Sequence, residues 1–234
     1  MKKIPFDIVG FDLDGTLFDT SGDLAAAVNH TLALIGRPPF SIEEIKLLVG
    51  RGAKVMLERG LEASGGCSDA LMKQYLPVLL EFYRDNLAHH THAYPGLIEA
   101  MDEFHARGVR LAVCTNKYER FATALIDQLG LTERFAAIIG GDTMGPGKAK
   151  PHAAPIEEMI RRSGGGRTVF LGDSINDIMA AKNAGIPSIA VSFGFLMQPV
   201  QELEADLVID HYDELIPALE NWPSGMERAL TRQA

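Results

Sequence analysis

The chain has 234 residues, 47% hydrophobic and 23% charged, which places it among folded globular proteins and excludes disorder as its default state. Its formal net charge is −9, and no run of Lys or Arg offers a nucleic acid the basic patch it needs. Asp7, Asp12 and Asp14 break the first apolar run, so no secretory leader is expected, and no stretch approaches the ~20 apolar residues that span a bilayer.

Ile4 to Phe11 is rich in Ile, Val and Phe and predicts the first strand. From about Leu17 to Asn86 no strand pattern follows. Leu24, Val28, Leu32 and Ile35 keep helical spacing, with Ser21 or Asp23 near the N-cap. Ile42, Ile45, Leu48 and Val49 predict a second helix, Val55 to Leu61 a third, and Leu71 to Tyr83 a fourth in which Pro77 marks a kink or boundary. His89, His90 and His92 read as a polar hinge rather than a metal cluster. Strands and helices then alternate. A helix through Leu97, Met101 and Phe104 ends near Gly108, and Val109 to Cys114 is the next strand. A helix through Phe121, Leu125 and Leu129, a strand over Phe135 to Ile139, a helix through Ile156 and Met159, and a strand over Thr168 to Leu171 follow. A helix ending at Gly185 and two short strands, Ser188 to Val191 and Leu207 to Ile209, complete the pattern. Cys67 and Cys114 form no CxxC pair and read as reduced thiols of a cytoplasmic protein.

Repeated alternation of buried strands with helices predicts an α/β fold with a Rossmann-like parallel sheet core. The expected core comprises residues 1–16 and 87–222, and a helical cap is inserted after the first strand at residues 17–86. Residues 223–234 are expected to be a frayed polar tail. In such sheets ligands bind beyond the carboxyl ends of the strands, so residues standing just after strands are the candidate site.

Four groups stand there. Asp12 and Asp14 follow the first strand, and two like charges so close need a cation or hydrogen bonds to stay ionised. Thr115 and Asn116 supply a hydroxyl and an amide for a phosphate oxygen. Lys150, before Pro151, supplies a compact positive charge; Lys148 competes for that role, and the following proline favours Lys150. Asp173 ends a strand, and Asp177 falls in the next helical turn. A nucleophile, an acid–base carboxylate, a lysine, a hydroxyl and two further carboxylates at one rim are what magnesium-assisted phosphoryl transfer requires. Mg2+ prefers hard oxygen ligands, and fixed donors stabilise the charge of the transition state.

These motifs resemble, in order and over nearly the whole chain, those of the haloacid dehalogenase-like hydrolase superfamily. Phe11 to Thr20 is similar to its first motif, Val113 to Lys117 to its second, Lys150 to His152 to its third and Gly172 to Asp177 to its fourth. The resemblance implies that Asp12 attacks phosphorus and forms an aspartyl phosphate, and that Asp14 protonates the leaving alkoxide and then activates water. It implies that Asp12, the Asp14 carbonyl and Asp173 bind Mg2+, with Asp177 binding or orienting that shell. Thr115, Asn116 and Lys150 would hold the phosphoryl group. An acid at Asp14 implies phosphate ester chemistry rather than dehalogenation.

Within the superfamily, Asp23 to Asn29, Val49 to Ala53, Ala93 to Gly96 and Gly140 to Thr143 resemble the phosphoglycolate phosphatases most. The chain departs from their pattern at Arg51, in the Gly-rich loop Met144 to Ala149, and at Ala153. Arg51 and its neighbouring glycines would present charge and free amides to a substrate carboxylate. The expected partner is a small phosphorylated metabolite, with no nucleic acid and no membrane, and the expected assembly is a monomer or homodimer. A β-phosphoglucomutase-like phosphomutase is the alternative reading, and a phosphate-binding protein without activity is a more distant one.

Overall fold

The computed structural model describes residues 2–223; the expected frayed tail, apart from Pro223, lies outside them. Six strands form one parallel sheet: β1 (Ile8–Phe11), β4 (Arg110–Cys114), β5 (Phe135–Ile139), β6 (Thr168–Gly172), β7 (Ser188–Val191) and β8 (Leu207–Ile209). Their spatial order is β5-β4-β1-β6-β7-β8. The chain builds outward on one side of β1, then crosses back to build on the other. β1 and β6 therefore flank the reversal point, where an α/β sheet opens a crevice for ligands.

Alternation along β1 shows why this strand is central. Val9 and Phe11 face one apolar layer with α5 (Leu97–Ala106) and α6 (Glu119–Gln128), while Ile8 faces another with α7 (Ala154–Arg162) and α8 (Ile175–Asn183). Both faces are covered, as a parallel sheet requires.

Between β1 and β4 the chain forms α1 (Ser21–Ala33), α2 (Ile42–Lys46), α3 (Gly52–Gly65) and α4 (Asp69–Asp85). Leu24, Val28, Leu32, Ile45, Leu57, Leu61 and Leu79 bury one another in an apolar cluster of their own, which two residues from beneath, Phe121 and Phe195, complete. No helix among the described residues is long and apolar enough to cross a membrane.

Several elements differ from the sequence expectation. β1 begins at Ile8, not Ile4; Pro5 lacks an amide proton, and Phe6 leaves the sheet to pack edge-on against Trp222. A short ribbon of β2 (Phe18–Asp19) paired antiparallel with β3 (His92–Ala93) lies where no strand was expected. Two residues per strand are too few to show alternation. The second helix stops at Lys46 and excludes Leu48 and Val49. Its start is fixed by a reciprocal cap between Ser41 and Glu44. Pro77 neither ends nor bounds α4, which runs through it. Pro77 and Lys73, whose carbonyl loses its amide partner, both face solvent, so water replaces the missing bond. Asp23 does not cap α1. Its carboxylate accepts from the backbone amides of His90 (3.0 Å) and Thr91 (2.9 Å), tying α1 to the returning chain.

Cys114 is fully buried in β4, and burial pushes its thiol up to about 12, whereas Cys67 is partly exposed. A disulfide reagent should therefore titrate one thiol in the native protein and two in guanidinium. Two rapid equivalents without denaturant would show that β4 is not shielded as described.

Candidate active site

Three central strands deliver the site. β1, β4 and β6 are adjacent and in register, with Phe11 beside Val113 and Leu171, so Asp12, one residue on, and Thr115 and Asp173, two residues on, emerge at one rim. Asp12, Asp173 and Asp177 are buried, and one carboxylate oxygen of each lies within 4.8 Å of the others. Gly172 makes this possible, because a Cβ there would collide with the Asp177 side chain. Gly15, at φ +83°, is required twice over, by its left-handed backbone and by a side chain's clash with Asp173 Oδ2.

Lys150 sits among these acids. Its Nζ lies 2.8 Å from Asp12 Oδ1, 2.5 Å from Asp177 Oδ1 and 2.7 Å from the Cys114 carbonyl. Lys148 is exposed on the loop before it, so the geometry separates the two lysines that the sequence left in competition. Burial works against the Lys150 charge, but Asp12 and Asp177 outweigh it and hold the group above the ordinary lysine range. Burial raises Asp12 to about 6 despite Lys150, with Asp177 and Asp14 adding repulsion. Asp173 is raised well above its ordinary value by burial, then by Asp177 and Asp12.

Each acid is also fixed from outside. Asp177 Oδ2 accepts from the Ser174 amide (3.0 Å) and hydroxyl (2.6 Å). Asp173 Oδ2 accepts from the Phe195 amide at 2.6 Å. Thr115 Oγ1 accepts from the Lys117 amide at 3.2 Å, which leaves its own proton free to donate. Asn116 donates its side-chain amide to the carbonyls of Gly50 (3.0 Å) and Lys150 (3.1 Å). Asn176 also reaches Gly50, at 3.2 Å, so two amides from the sheet side grip the loop between α2 and α3.

The residues present fit a divalent cation. Three carboxylates, when ionised, face one buried ammonium and leave two negative charges in excess. Asp12 Oδ1 is buried 2.8 Å from Lys150 Nζ, and no other donor among the described residues is aligned with it, so the carboxylate keeps lone pairs for a metal or a phosphorus atom. All the available ligands are hard oxygens.

Asp14 stands apart from the three. Its carboxylate is turned to Lys117, at 2.7 and 2.8 Å, and to the Thr20 hydroxyl, at 2.7 Å. Lys117 is buried, and the sequence marks it only as the last residue of the second motif. No local pattern distinguishes a buried lysine from a solvated one, so its pairing with a residue 103 positions away was not legible. Arg51 is exposed at the start of α3. It lines a cleft of about 400 Å³ together with Arg59, Asp173, Asn176 and Met197. A second cavity, of about 40 Å³, is lined by Asp12, Asp14, Thr115 and Lys117 below and by Leu24, Met56, Leu79 and Tyr83 above. His89, His90 and His92 contribute to neither, and among the described residues no metal-ligating cluster contains them.

The parallel sheet, the acidic rim and the lysine define an α/β protein with a site suited to phosphoryl groups, and comparison with known proteins makes the class specific. The sequence profile of the haloacid dehalogenase-like hydrolases matches residues 9–191, and the chain belongs to that family. Within it the chain is a phosphatase. It is 44% identical to a phosphoglycolate phosphatase of Agrobacterium fabrum, covering 89% of this chain and 90% of that one. It is 40% identical to one of Caulobacter vibrioides, over 87% and 86%. The fold is shared with CbbY from Rhodobacter sphaeroides, solved in complex with phosphate, at a TM-score of 0.74 and 27% identity over 90% of this chain and 96% of that one.

Replacing Lys150 with Met leaves Asp12 and Asp177 buried without their counter-charge. Urea unfolding without divalent cations should show a loss of about 3 kcal/mol. An unchanged midpoint would mean that the lysine does not neutralise the cluster.

Proposed function

We propose that this chain is a magnesium-dependent phosphomonoester hydrolase that works through an aspartyl phosphate, on 2-phosphoglycolate or a similarly small phosphorylated metabolite, in the cytoplasm. The observation that carries this reading is the convergence of Asp12, Asp173 and Asp177 within 4.8 Å around a buried lysine that lies 2.8 Å from Asp12.

In this reading the Asp12 carboxylate attacks phosphorus, an oxygen–phosphorus bond forms, and the ester P–O bond breaks. Lys150, the Thr115 hydroxyl and the Asn116 amide hold the other phosphoryl oxygens, where charge spreads in the transition state. Asp14 gives its proton to the departing alkoxide, for which it turns from Lys117 and Thr20 toward the ester oxygen. It then takes a proton from water, which attacks the aspartyl phosphate and releases inorganic phosphate, restoring Asp12. Magnesium, held by the carboxylates of Asp12 and Asp173 and the Asp14 carbonyl with Asp177 beside them, would neutralise phosphoryl charge. Arg51 and Arg59 at the cleft mouth would steer anionic substrates inward.

We assign residues 1–16 and 87–222 to a catalytic core and residues 17–86 to a cap that moves over it. A volume of about 40 Å³ holds one or two waters but no ester, so substrate entry needs the cap displaced. The names of the relatives support 2-phosphoglycolate as the substrate.

Phosphate release from 2-phosphoglycolate should require magnesium, stop with a chelator and return when magnesium is restored. Asp12→Asn should lower kcat by at least about 10³-fold, the scale at which loss of a covalent nucleophile acts. Full activity of that variant would refute the nucleophile. Appearance of a bisphosphorylated sugar in place of inorganic phosphate would point to a mutase. Solution scattering should show a more compact particle with magnesium and vanadate than without; identical profiles would contradict a moving cap.

A further inference from the structure

The cavity between the helices and the sheet contains two polar groups that the phosphoryl chemistry does not use. Lys117, from the loop after β4, is buried on its floor, and Tyr83, from α4, is buried in its roof. The Tyr83 hydroxyl is shielded from water, and its proton has no aligned acceptor among the described residues: the polar group beside it is the Lys117 ammonium, which can only donate. Leaving a buried hydroxyl unmet is costly, and such a group inside a cavity is best explained by a ligand that meets it. Burial pushes this hydroxyl up to about 12, so it is present as a donor at neutral pH. Lys117 Nζ lies 4.8 Å from the Tyr83 ring centroid, so the two groups are neighbours.

Lys117 holds both oxygens of the Asp14 carboxylate, at 2.7 and 2.8 Å, and stands beside the Tyr83 hydroxyl. An ammonium offers no acceptor, so the Tyr83 proton needs one from elsewhere, and an anion entering the cavity would be shared by both groups. Apart from Tyr83, the side chains that the helices contribute to the wall are apolar: Leu24, Ala53, Met56, Leu79 and Phe121. Such a wall gives the hydroxyls of a sugar no partners, and each unpaired hydroxyl would count against binding.

Resting on the phosphatase reading above, we infer that Lys117 and Tyr83 form a clamp for a carboxylate on the substrate, so that the preferred esters carry a carboxylate one carbon from the phosphorylated oxygen. The short reach decides between this pair and Arg51. A two-carbon ester with its phosphorus at Asp12 places its carboxylate close to Asp14, where Lys117 stands 2.7 Å away. Arg51 is exposed and lines the other cleft. The clamp is also divided between layers: one donor belongs to the sheet and the other to the helices. A carboxylate bound by both draws α4 onto the rim, which links recognition of the acid to closure over the phosphorus.

The test is the ratio of kcat/KM for 2-phosphoglycolate to that for ethyl phosphate, measured with magnesium in the wild type and in Lys117→Met, Lys117→Arg and Tyr83→Phe. The ratio cancels any uniform damage that a variant does through Asp14 or through folding. Lys117→Met should lower it by about 30-fold or more, as expected for loss of a buried charge partner. Tyr83→Phe should lower it by about 10-fold, the scale of one hydrogen bond to a charged group. Lys117→Arg should keep most of the preference. A ratio unchanged in Lys117→Met and Tyr83→Phe would overturn the clamp, showing that Lys117 serves Asp14 alone. Equal use of the two esters by the wild type would overturn the clamp while leaving the phosphatase reading in place. No release from either ester would overturn both.

Discussion

Three carboxylates buried within 4.8 Å of one another set the constraint that the rest of this structure answers. Like charges at that distance in a low-dielectric interior cannot all ionise unless something positive lies among them. Lys150 supplies one charge from within, bridging Asp12 and Asp177 at 2.8 and 2.5 Å. The remaining negative charge is what a divalent cation would offset. The cluster is thus a source of instability in the empty protein and a binding site for the same reason, since a bound cation offsets the repulsion that folding leaves in place.

Holding the acids in this arrangement takes the whole sheet. The register of β1 with β4 and β6 brings residues from three distant segments to one rim. Gly15 and Gly172 let side chains approach where a methyl group would collide. The Phe195 amide and the Ser174 amide and hydroxyl then lock Asp173 and Asp177. Phe195 also reaches into the apolar cluster of the helices above, so the loop whose amide holds Asp173 also joins those helices. Asn116 and Asn176 hold the Gly50 carbonyl from below, a second tie between the layers.

Much of this was legible in the sequence because it is local. The βα alternation, the acids after strands and the order of the four motifs depend on spacing of a few residues, and the family and fold follow from them. What was missed depends on contacts across the fold. Lys117 looks like any loop lysine until Asp14 is placed beside it, and Tyr83 looks like one more apolar residue of a helical face. Asp23 has the position of a helix cap and is instead used by His90 and Thr91, 67 and 68 residues away. Pro77 has the appearance of a helix boundary, but its solvent-facing side lets water stand in for the lost bond. The charge of Arg51 and its glycine neighbours point to a specificity residue, and the shape of the cavities shows that it and Lys117 line different spaces.

The central claim is that Asp12 and Asp173, 161 positions apart in the chain, share a single cation at the strand ends. Crystals grown with manganese in place of magnesium, measured at the manganese absorption edge, test it most directly. The account predicts one anomalous peak bonded to carboxylate oxygens of both Asp12 and Asp173, with Lys150 beside it and not displaced by it. A peak on Asp14 and Lys117, or no peak at the rim at all, would contradict it.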